Sequence, residues 1–399
     1  MKESKKKKEV LKYSVGIDIS MDDFHVCVSG IDSEQRVTVR GTRSFKNTSS
    51  GHAQCVGWAK KLNKEQVPMV FLMEATGVYY EELAWYLHLE KEHVSVVVPN
   101  KTKKYLQSLG KSKNDKIDAI GLAQMGAEKQ LKQWIPLTDS IYELRTLTRH
   151  RESCSKLRTA TINRIHALEH GRVKVKPVLK SLKSSLKHFD KELEKMDELI
   201  KDLIMSDPLL AKQCLKITKV KGIGITTFAI VVAETNGFAA IENHRQLVSY
   251  AGYDVVENQS GNHVGRTRIS KKGNSRIRAA MHFPALQAVE REEPAMVCLF
   301  ERVYGRTGIK MKAYVAVQKK MLELIYFLWI KDEEYDPNRN RTSGNDEPKL
   351  LFSQQPVESI TPENEVVSMN TETTQDRLPC KDSPEVLFSQ GQNYKKKLL

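Results

Sequence analysis

The sequence predicts a mixed α/β domain at the N-terminus, a long helical hairpin in the middle and a mainly helical domain after it. Three observations carry this reading. Short β-branched runs fill the first hundred residues, a 4, 3, 4, 3 apolar spacing follows Pro136, and glycine-rich turns separate helical stretches from Leu215 to Ile330.

Taken in order, SVGIDIS, FHVCVSG and QRVTVRG read as three strands bounded by Gly, Ser or Asp, close enough together to form hairpins. A helical stretch from His52 to Leu62 leads to the buried-strand run VPMVFLME, a helix from Val78 to Leu89 and the strand VSVVVP. Strands that are first antiparallel and then alternate with helices give a mixed sheet with helices on its faces. Beyond Pro136, Ile141, Leu144, Leu147, Cys154, Leu157, Thr161, Ile165 and Leu168 keep helical spacing until Gly171 to Pro177 breaks the run. The next helix carries Leu182, Leu186, Phe189, Leu193, Met196, Ile200 and Leu203, a heptad seam. An antiparallel coiled coil or dimerisation arm is expected, with a packed helix of a larger domain as the plainer alternative. The last apolar helix, MKAYVAVQKKMLELIYFLWI, is expected to be buried, and the Asp, Asn, Ser, Thr and Pro-rich tail after Lys331 to be disordered. LFSQ occurs twice in that tail, at residues 351–354 and 387–390. The resulting division is a basic segment 1–12, an α/β domain 13–135, a helical hairpin 136–210, a third domain 211–331 and a tail 332–399.

Composition narrows the function. The 399 residues carry 64 Lys plus Arg against 49 Asp plus Glu, a formal +15, which points to a polyanion and first to nucleic acid. With 40% hydrophobic residues the chain buries a core, and its longest apolar run, Ile223 to Ala233, is too short to span a bilayer. MKESKKKKEV lacks the apolar stretch of a signal peptide. The six cysteines form no CxxC pair, as expected of reduced thiols in a cytosol.

Four carboxylates stand in unusual places. Asp18 interrupts the strand GIDIS, Glu74 ends the apolar strand FLME, and Asp115 and Asp118 share one face of a helix opening in KNDKIDA. Burying such groups unpaired costs several kcal/mol, so each must face water or a cation. Together they are the oxygen donors that Mg²⁺ or Mn²⁺ selects, and two such ions assist phosphodiester cleavage. Taken singly, Asp115 is an ordinary first-turn acid and Asp18 a residue at a strand end. Lys101, Lys103, Lys104, Lys111, Lys113 and Lys116 surround the helix and would hold a phosphate backbone. In TKVKGIGITTF, Lys221, Gly222 and Gly224 resemble half of a helix-hairpin-helix, whose glycines let backbone N–H groups approach a phosphate; a plain turn is the simpler reading. ENQSGNHVGRTRISKKGNSRIRAAM sets Ser260 among Arg266, Arg268, Lys271, Lys272, Arg276 and Arg278 with no acid between them. A serine in that field is suited to attack a phosphodiester, although Ser-Gly is more often only a turn. Ser270 is expected to cap a helix through Ser275 to Ala280.

GIDIS, MEATG, KNDKIDA, LVSYAGYDV, SGN and ISKKGNSRIR, in this order, resemble the DEDD-type insertion-sequence transposases of the IS-one-ten family, a family that also includes a pilin-gene inversion recombinase. The resemblance runs from about Tyr13 to Ile330 and leaves the tail outside. It implies a RuvC-like, RNase-H-fold N-terminal domain, a coiled-coil linker and a mainly α C-terminal transposase domain. The family's four acids fall on Asp18, Glu74, Asp115 and Asp118, and its nucleophilic serine on Ser260. It further implies Mg²⁺ or Mn²⁺, donor and target DNA, a noncoding bridge or seeker RNA, a dimer or tetramer and a bacterial cytoplasmic, nucleoid-associated location without a membrane. The alternatives are a RuvC-like nuclease or Holliday-junction resolvase whose serine is only a turn, and a noncatalytic nucleic-acid-binding protein.

Overall fold

The computed structural model describes residues 9–110, 114–261, 263–265 and 267–337. Lys111, Lys113, Arg266, the first eight residues and the LFSQ repeats lie outside the described residues.

Five strands form one sheet: β1 (Val10–Ile19), β2 (Asp23–Asp32), β3 (Val37–Lys46), β4 (Met69–Glu74) and β5 (His93–Val97). Their order is β3-β2-β1-β4-β5, antiparallel across β1, β2 and β3 and parallel from β1 through β4 to β5. This mixed sheet matches the class expected from the early runs. Alternation decides what each face meets. Val15, Ile17, Ile19, Phe24, Val26, Val28, Phe71 and Met73 bury one face under α1 (Ser49–Leu62) and α2 (Glu81–Leu89). The other face presents Ser14, Gly16, Asp18, Cys27 and Leu72, and lies under α4 (Asp115–Glu128), which follows α3 (Pro99–Leu109).

That second contact is close. A Cβ on Gly16 would stand 2.1 Å from the Ala123 nitrogen and 2.4 Å from the Ala119 oxygen, so only a residue without one lets the helix backbone lie on β1. Farther along, a Cβ on Gly126 would meet the Ser14 hydroxyl at 2.2 Å. Small residues at 119, 123 and 126 thus form the inward stripe of α4.

α5 (Asp139–His170) and α6 (Lys176–Ser206) make the predicted hairpin. The ion pairs Arg151–Asp197 at 2.5 Å, Arg158–Asp190 at 2.6 Å and Lys183–Glu169 at 2.8 Å advance along one helix as they retreat along the other, which fixes an antiparallel register. The hairpin is not a separate unit at its base. Ile141, Leu144, Ile200 and Ile204 join the core of the helices that follow: α7 (Pro208–Ile217), α8 (Ile225–Thr235), α9 (His244–Ala251), α10 (Ser275–Ala280), α11 (His282–Glu290), α12 (Pro294–Thr307) and α13 (Lys310–Lys331). Val317, Met321, Leu322 and Ile325 of α13 are fully buried in that core. Between α9 and α10 the chain makes four two-residue strands, β6 (Val255–Val256), β7 (Gln259–Ser260), β8 (His263–Val264) and β9 (Arg268–Ile269), with β6 paired to β9 and β7 to β8.

The tail boundary after Lys331 falls too early. Asp332 accepts from Lys212 at 2.5 Å, Lys216 at 2.7 Å and Gln213 at 2.9 Å, Glu334 pairs with Lys219 at 2.9 Å, and Tyr335 donates to the buried Glu293. Composition hid this, because the partners lie far along the chain, Lys212, Gln213, Lys216 and Lys219 in or just after α7 and Glu293 before α12.

Two outcomes follow from this packing. Gly16→Ala forces the helix off the strand and is expected to destabilise the protein by about 3 kcal/mol, measured by urea unfolding. A chain ending at Lys331 is expected to melt below one ending at Pro337; equal melting temperatures would remove the role assigned to residues 332–336.

Candidate functional site

The close contact at Gly16 carries the first turn of α4 to the end of β1. Asn114 caps the helix by accepting from the Ile117 amide at 2.8 Å, which starts it at Asp115 and puts Asp115 and Asp118 in its first turn. Asp18 lies two residues beyond Gly16 on the same face. The last paired residues of β1 and β4 are Ile17 and Met73, so Asp18 and Glu74 come next, side by side at the carboxyl ends of parallel strands. The four acids converge electrostatically. The Asp18 carboxyl is pushed up to about 6, first by burial, then by Asp118, Asp115 and Glu74, with His25 acting in the opposite direction.

Glu74 is held from two sides: the buried Thr102 hydroxyl of α3 donates to Oε2 at 2.5 Å and Thr76 to Oε1 at 3.0 Å. His25, directly across the antiparallel pair from Asp18, is the site residue that motif reading missed. Its signal was available: in FHVCVSG, Phe24, Val26 and Val28 face the apolar core, so His25 and Cys27 must face α4. Lys101, Lys103, Lys104 and Lys116 are exposed on α3 and α4 and, among the described residues, form no ion pair within the chain.

Four hard oxygen donors of like charge, one of them desolvated, fit Mg²⁺ or Mn²⁺ in chemistry and sign. Their side chains are not drawn to a common point, since no group of three or more His, Cys, Asp or Glu among the described residues is placed to hold a metal ion.

Ser260 stands elsewhere. It is exposed on β7, beside Gly261 at φ +55°, and makes no hydrogen bond to any of the four carboxylates. The basic segment around it is partly engaged within the protein. Arg276 pairs with Glu152 at 2.8 Å and Arg278 donates to the Ala251 carbonyl at 2.7 Å, whereas Arg268, Lys271 and Lys272 are exposed. Ser270 does not cap the next helix. Asn274 does, accepting from the Arg276 and Ile277 amides, while Ser270 accepts only from Lys272 at 3.3 Å. Lys221, Gly222 and Gly224 line a concavity of about 410 Å³ between α7 and α8, with Lys219 and Arg291 beside them. Gly222 has φ +93°, and a Cβ there would strike the Pro284 carbonyl at 2.5 Å, so this glycine also serves the packing of α11.

A buried ionic cluster joins these parts. Glu234 of α8 is 3% exposed and accepts from Arg149 at 2.8 and 3.1 Å and from the capping Asn274 at 2.7 Å. Burial pushes its carboxyl up, yet these bonds and the charges of Arg149 and Arg145 hold it below the usual range.

Family models and relatives place the chain in the transposase and recombinase class. The DEDD_Tnp_IS110 "Transposase" model matches residues 15–168, and the model described as "Transposase IS116/IS110/IS902 family" matches residues 214–298. A pilin gene-inverting protein of Moraxella bovis is 26% identical over 327 residues, covering 82% of this chain and 98% of its own length. The transposase for insertion sequence element IS1111A of Coxiella burnetii is 25% identical over 353 residues, covering 80% of this chain and 90% of its own. The chain belongs to the IS110 family of transposases. No described helix is long and apolar enough to cross a membrane.

Because folding raises the Asp18 pKa from 3.8 to about 6, the native state binds the proton more tightly than the unfolded chain, and stability falls as pH rises through that window. Asp18→Asn is therefore expected to raise the melting temperature in a chelator at pH 7 and to leave it nearly unchanged at pH 4. A variant that melts lower than the native protein at pH 7 would contradict the repulsion.

Proposed function

We propose that this transposase cleaves and rejoins DNA strands in a metal-dependent reaction through a covalent phosphoserine. The observation that carries the reading is the electrostatic coupling of Asp18 to Asp118, Asp115 and Glu74, with Asp18 and Glu74 at the carboxyl ends of β1 and β4 and Asp115 and Asp118 in the first turn of α4. The strand order, three antiparallel strands followed by two parallel ones, supports a RuvC-like, RNase-H-type domain. The four acids would hold Mg²⁺ or Mn²⁺, whose contribution when bound is to neutralise charge on a phosphodiester and activate an attacking oxygen. Thr102 and Thr76 hold the Glu74 carboxylate from both oxygens, and His25 adds positive potential beside Asp18 when protonated.

Ser260 is the proposed nucleophile. Its Oγ forms a bond to phosphorus as one P–O ester bond of the strand breaks, and the serine proton ends on the released sugar oxygen. The ester conserves the energy of the phosphodiester, so a second sugar hydroxyl reverses the step and joins a new strand. Gly261 leaves room for the backbone of the loop to approach a phosphate, and Arg268, Lys271 and Lys272 supply charge to the developing phosphorane. Lys101, Lys103, Lys104 and Lys116, with the Lys221, Gly222 and Gly224 turn, would hold backbone phosphates. The resemblance supports a bridge RNA pairing with donor and target DNA, a coiled-coil arm in a dimer or tetramer, and action at the nucleoid in the cytoplasm.

A second reading, a nuclease whose carboxylates activate water, has one observation in its favour: Ser260 makes no bond to the carboxylates. The two differ in product. Full-length protein with labelled donor DNA, the co-purified RNA and Mg²⁺ is expected to give a covalent adduct on a denaturing gel that Ser260→Ala abolishes and Ser270→Ala retains. Free cleaved strands from Ser260→Ala at the native rate would establish the nuclease, and intact DNA with Asp118→Asn is expected in either case.

A further inference from the structure

The helical arm carries a charge pattern that the carboxylate site does not use. Between residues 163 and 188, its outer part, there are seven Lys and Arg against one acid, Glu169; between 189 and 206, the part of α6 nearer the core, there are three against six. The division follows the fold. Met196, Ile200 and Ile204 of α6 are buried, and no α6 residue before Met196 is. At 1.5 Å per residue, α5 projects the basic end about 45 Å from its first turn.

On α6 the cations are ordered. Lys176, Lys180, Lys183 and Lys187 recur at 4, 3 and 4 residues, which places them along one face, all exposed, beside the half-buried Leu179, Leu182 and Leu186. They line a shallow concavity of about 480 Å³ with Leu179 and Ser184. Of the four, only Lys183 has an ion-pair partner among the described residues, Glu169 at 2.8 Å. A rise of 4.5 to 6 Å between successive lysines exceeds the roughly 3.4 Å at which the phosphates of one strand follow along a duplex axis, so each lysine can meet a separate phosphate.

We propose that the tip of the arm grips the phosphate backbone of double-stranded DNA through this lysine face, outside the segment that undergoes chemistry. Lys176, Lys180 and Lys187, with no ion-pair partner among the described residues, and Lys183 beside them on a rigid rod supply the counterion-release contribution to binding, without reading sequence. Residues 163–188 contain no Phe, Trp or Tyr. Single strands are bound by stacking unpaired bases on aromatic rings, so their absence favours a duplex. The family's DNA substrate favours DNA over RNA as that duplex. The choice of DNA rests on the family's substrate, whereas the lysine face is independent of how the strands are cut.

The test is binding of the full-length protein to a fluorescent random-sequence DNA duplex of about 40 base pairs, titrated from about 50 to 300 mM salt. Replacing Lys176, Lys180 and Lys187 by Gln, with Lys183 kept for its ion pair, is expected to lower the slope of log K against log salt by about 2.7 and to weaken binding ten- to a hundred-fold near 0.15 M. Each single replacement lowers the slope by about 0.9, so the measurement survives if the triple variant folds poorly. Replacing Lys191, Lys195 and Lys201 by Gln removes the same charge from the inner part and is expected to change the slope far less. An unchanged slope in the tip variant, or an equal fall in the inner one, overturns the proposal. So does a fall seen with an RNA duplex of the same sequence and not with DNA. A change of oligomeric state by light scattering would assign the tip, with its exposed Val173, Val175 and Val178, to a contact between copies instead.

Discussion

The closeness of α4 to β1 at Gly16 is the constraint on which the site depends. A helix normally packs on a sheet with a layer of side chains between the backbones. Here a Cβ on residue 16 would come within 2.1 Å of the Ala123 nitrogen, so at this point no such layer fits. Two consequences follow. The inward stripe of α4 must be small, which explains Ala119, Ala123 and Gly126, and the first turn of the helix is brought down over Asp18 instead of standing clear of it. Carboxylates from a strand and a helix then share one local field. Burial first, and then the neighbouring Asp118, Asp115 and Glu74, push the Asp18 carboxyl up. Such repulsion is tolerated because the opposite face of the same strand, with Val15, Ile17 and Ile19, is buried in the largest core of the domain.

A second constraint acts at the base of the arm. Arg149 and Arg145 of α5 turn inward to α8, where Arg149 binds Glu234 and Arg145 donates to the Ala233 carbonyl at 2.8 and 3.0 Å. Glu234 in turn fixes Asn274, the cap of α10, and Tyr250 donates to the Glu234 carbonyl. Removing one member leaves a charge buried without its partner, which typically costs several kcal/mol. The arm, the helix following the basic loop and α8 are therefore set relative to one another by polar contacts with fixed geometry. Tyr142 of α5 reaches Glu81 of α2, so the connection extends to the helix that follows the Glu74 strand. The fold thus links its two candidate chemical centres through α5 without bringing Ser260 to the carboxylates.

What was legible in the sequence divides along the range of the interactions. Strands were readable because period-two alternation is local, and the acids because a carboxylate inside an apolar strand is conspicuous whatever surrounds it. The hairpin register was not readable, since Arg151–Asp197 and Arg158–Asp190 involve ordinary surface residues. Glu234 was invisible for the same reason: at the end of an apolar helix it reads as a C-terminal polar residue, and its partners lie 85 and 40 residues away. Asn274 and Ser270 show a subtler limit. Both residue types cap helices, and the choice turns on where the helix begins, which the hydrogen bonds of Asn274 to the amides of 276 and 277 decide. Arg276 and Arg278 looked free because the segment holds no acid; Glu152 and the Ala251 carbonyl come from elsewhere in the fold.

Charge placement states the remaining physical problem. A protein of formal +15 attracts a polyanion, but near Asp18, Glu74, Asp115 and Asp118 a phosphate meets like charge. On the proposed reading, lysines on the rims of α3 and α4 would concentrate nucleic acid near the cluster, yet their ammonium groups are solvated and screened within about 10 Å at ordinary ionic strength. They lower the cost of approach more than the cost of contact. Contact requires countercharge inside the cluster, and the donor set there is made of hard oxygens with a single imidazole opposite Asp18. On the proposed reading, part of the affinity of the site for a divalent cation would come from relieving the repulsion that, after burial, raises the Asp18 pKa, with the acids kept near one another by the rigid contact at Gly16. A looser helix would relax the repulsion by letting the acids move apart and would lose that affinity with it. Hence a glycine, which contributes no side chain to the core, governs both the packing of the sheet and the charge density of the site.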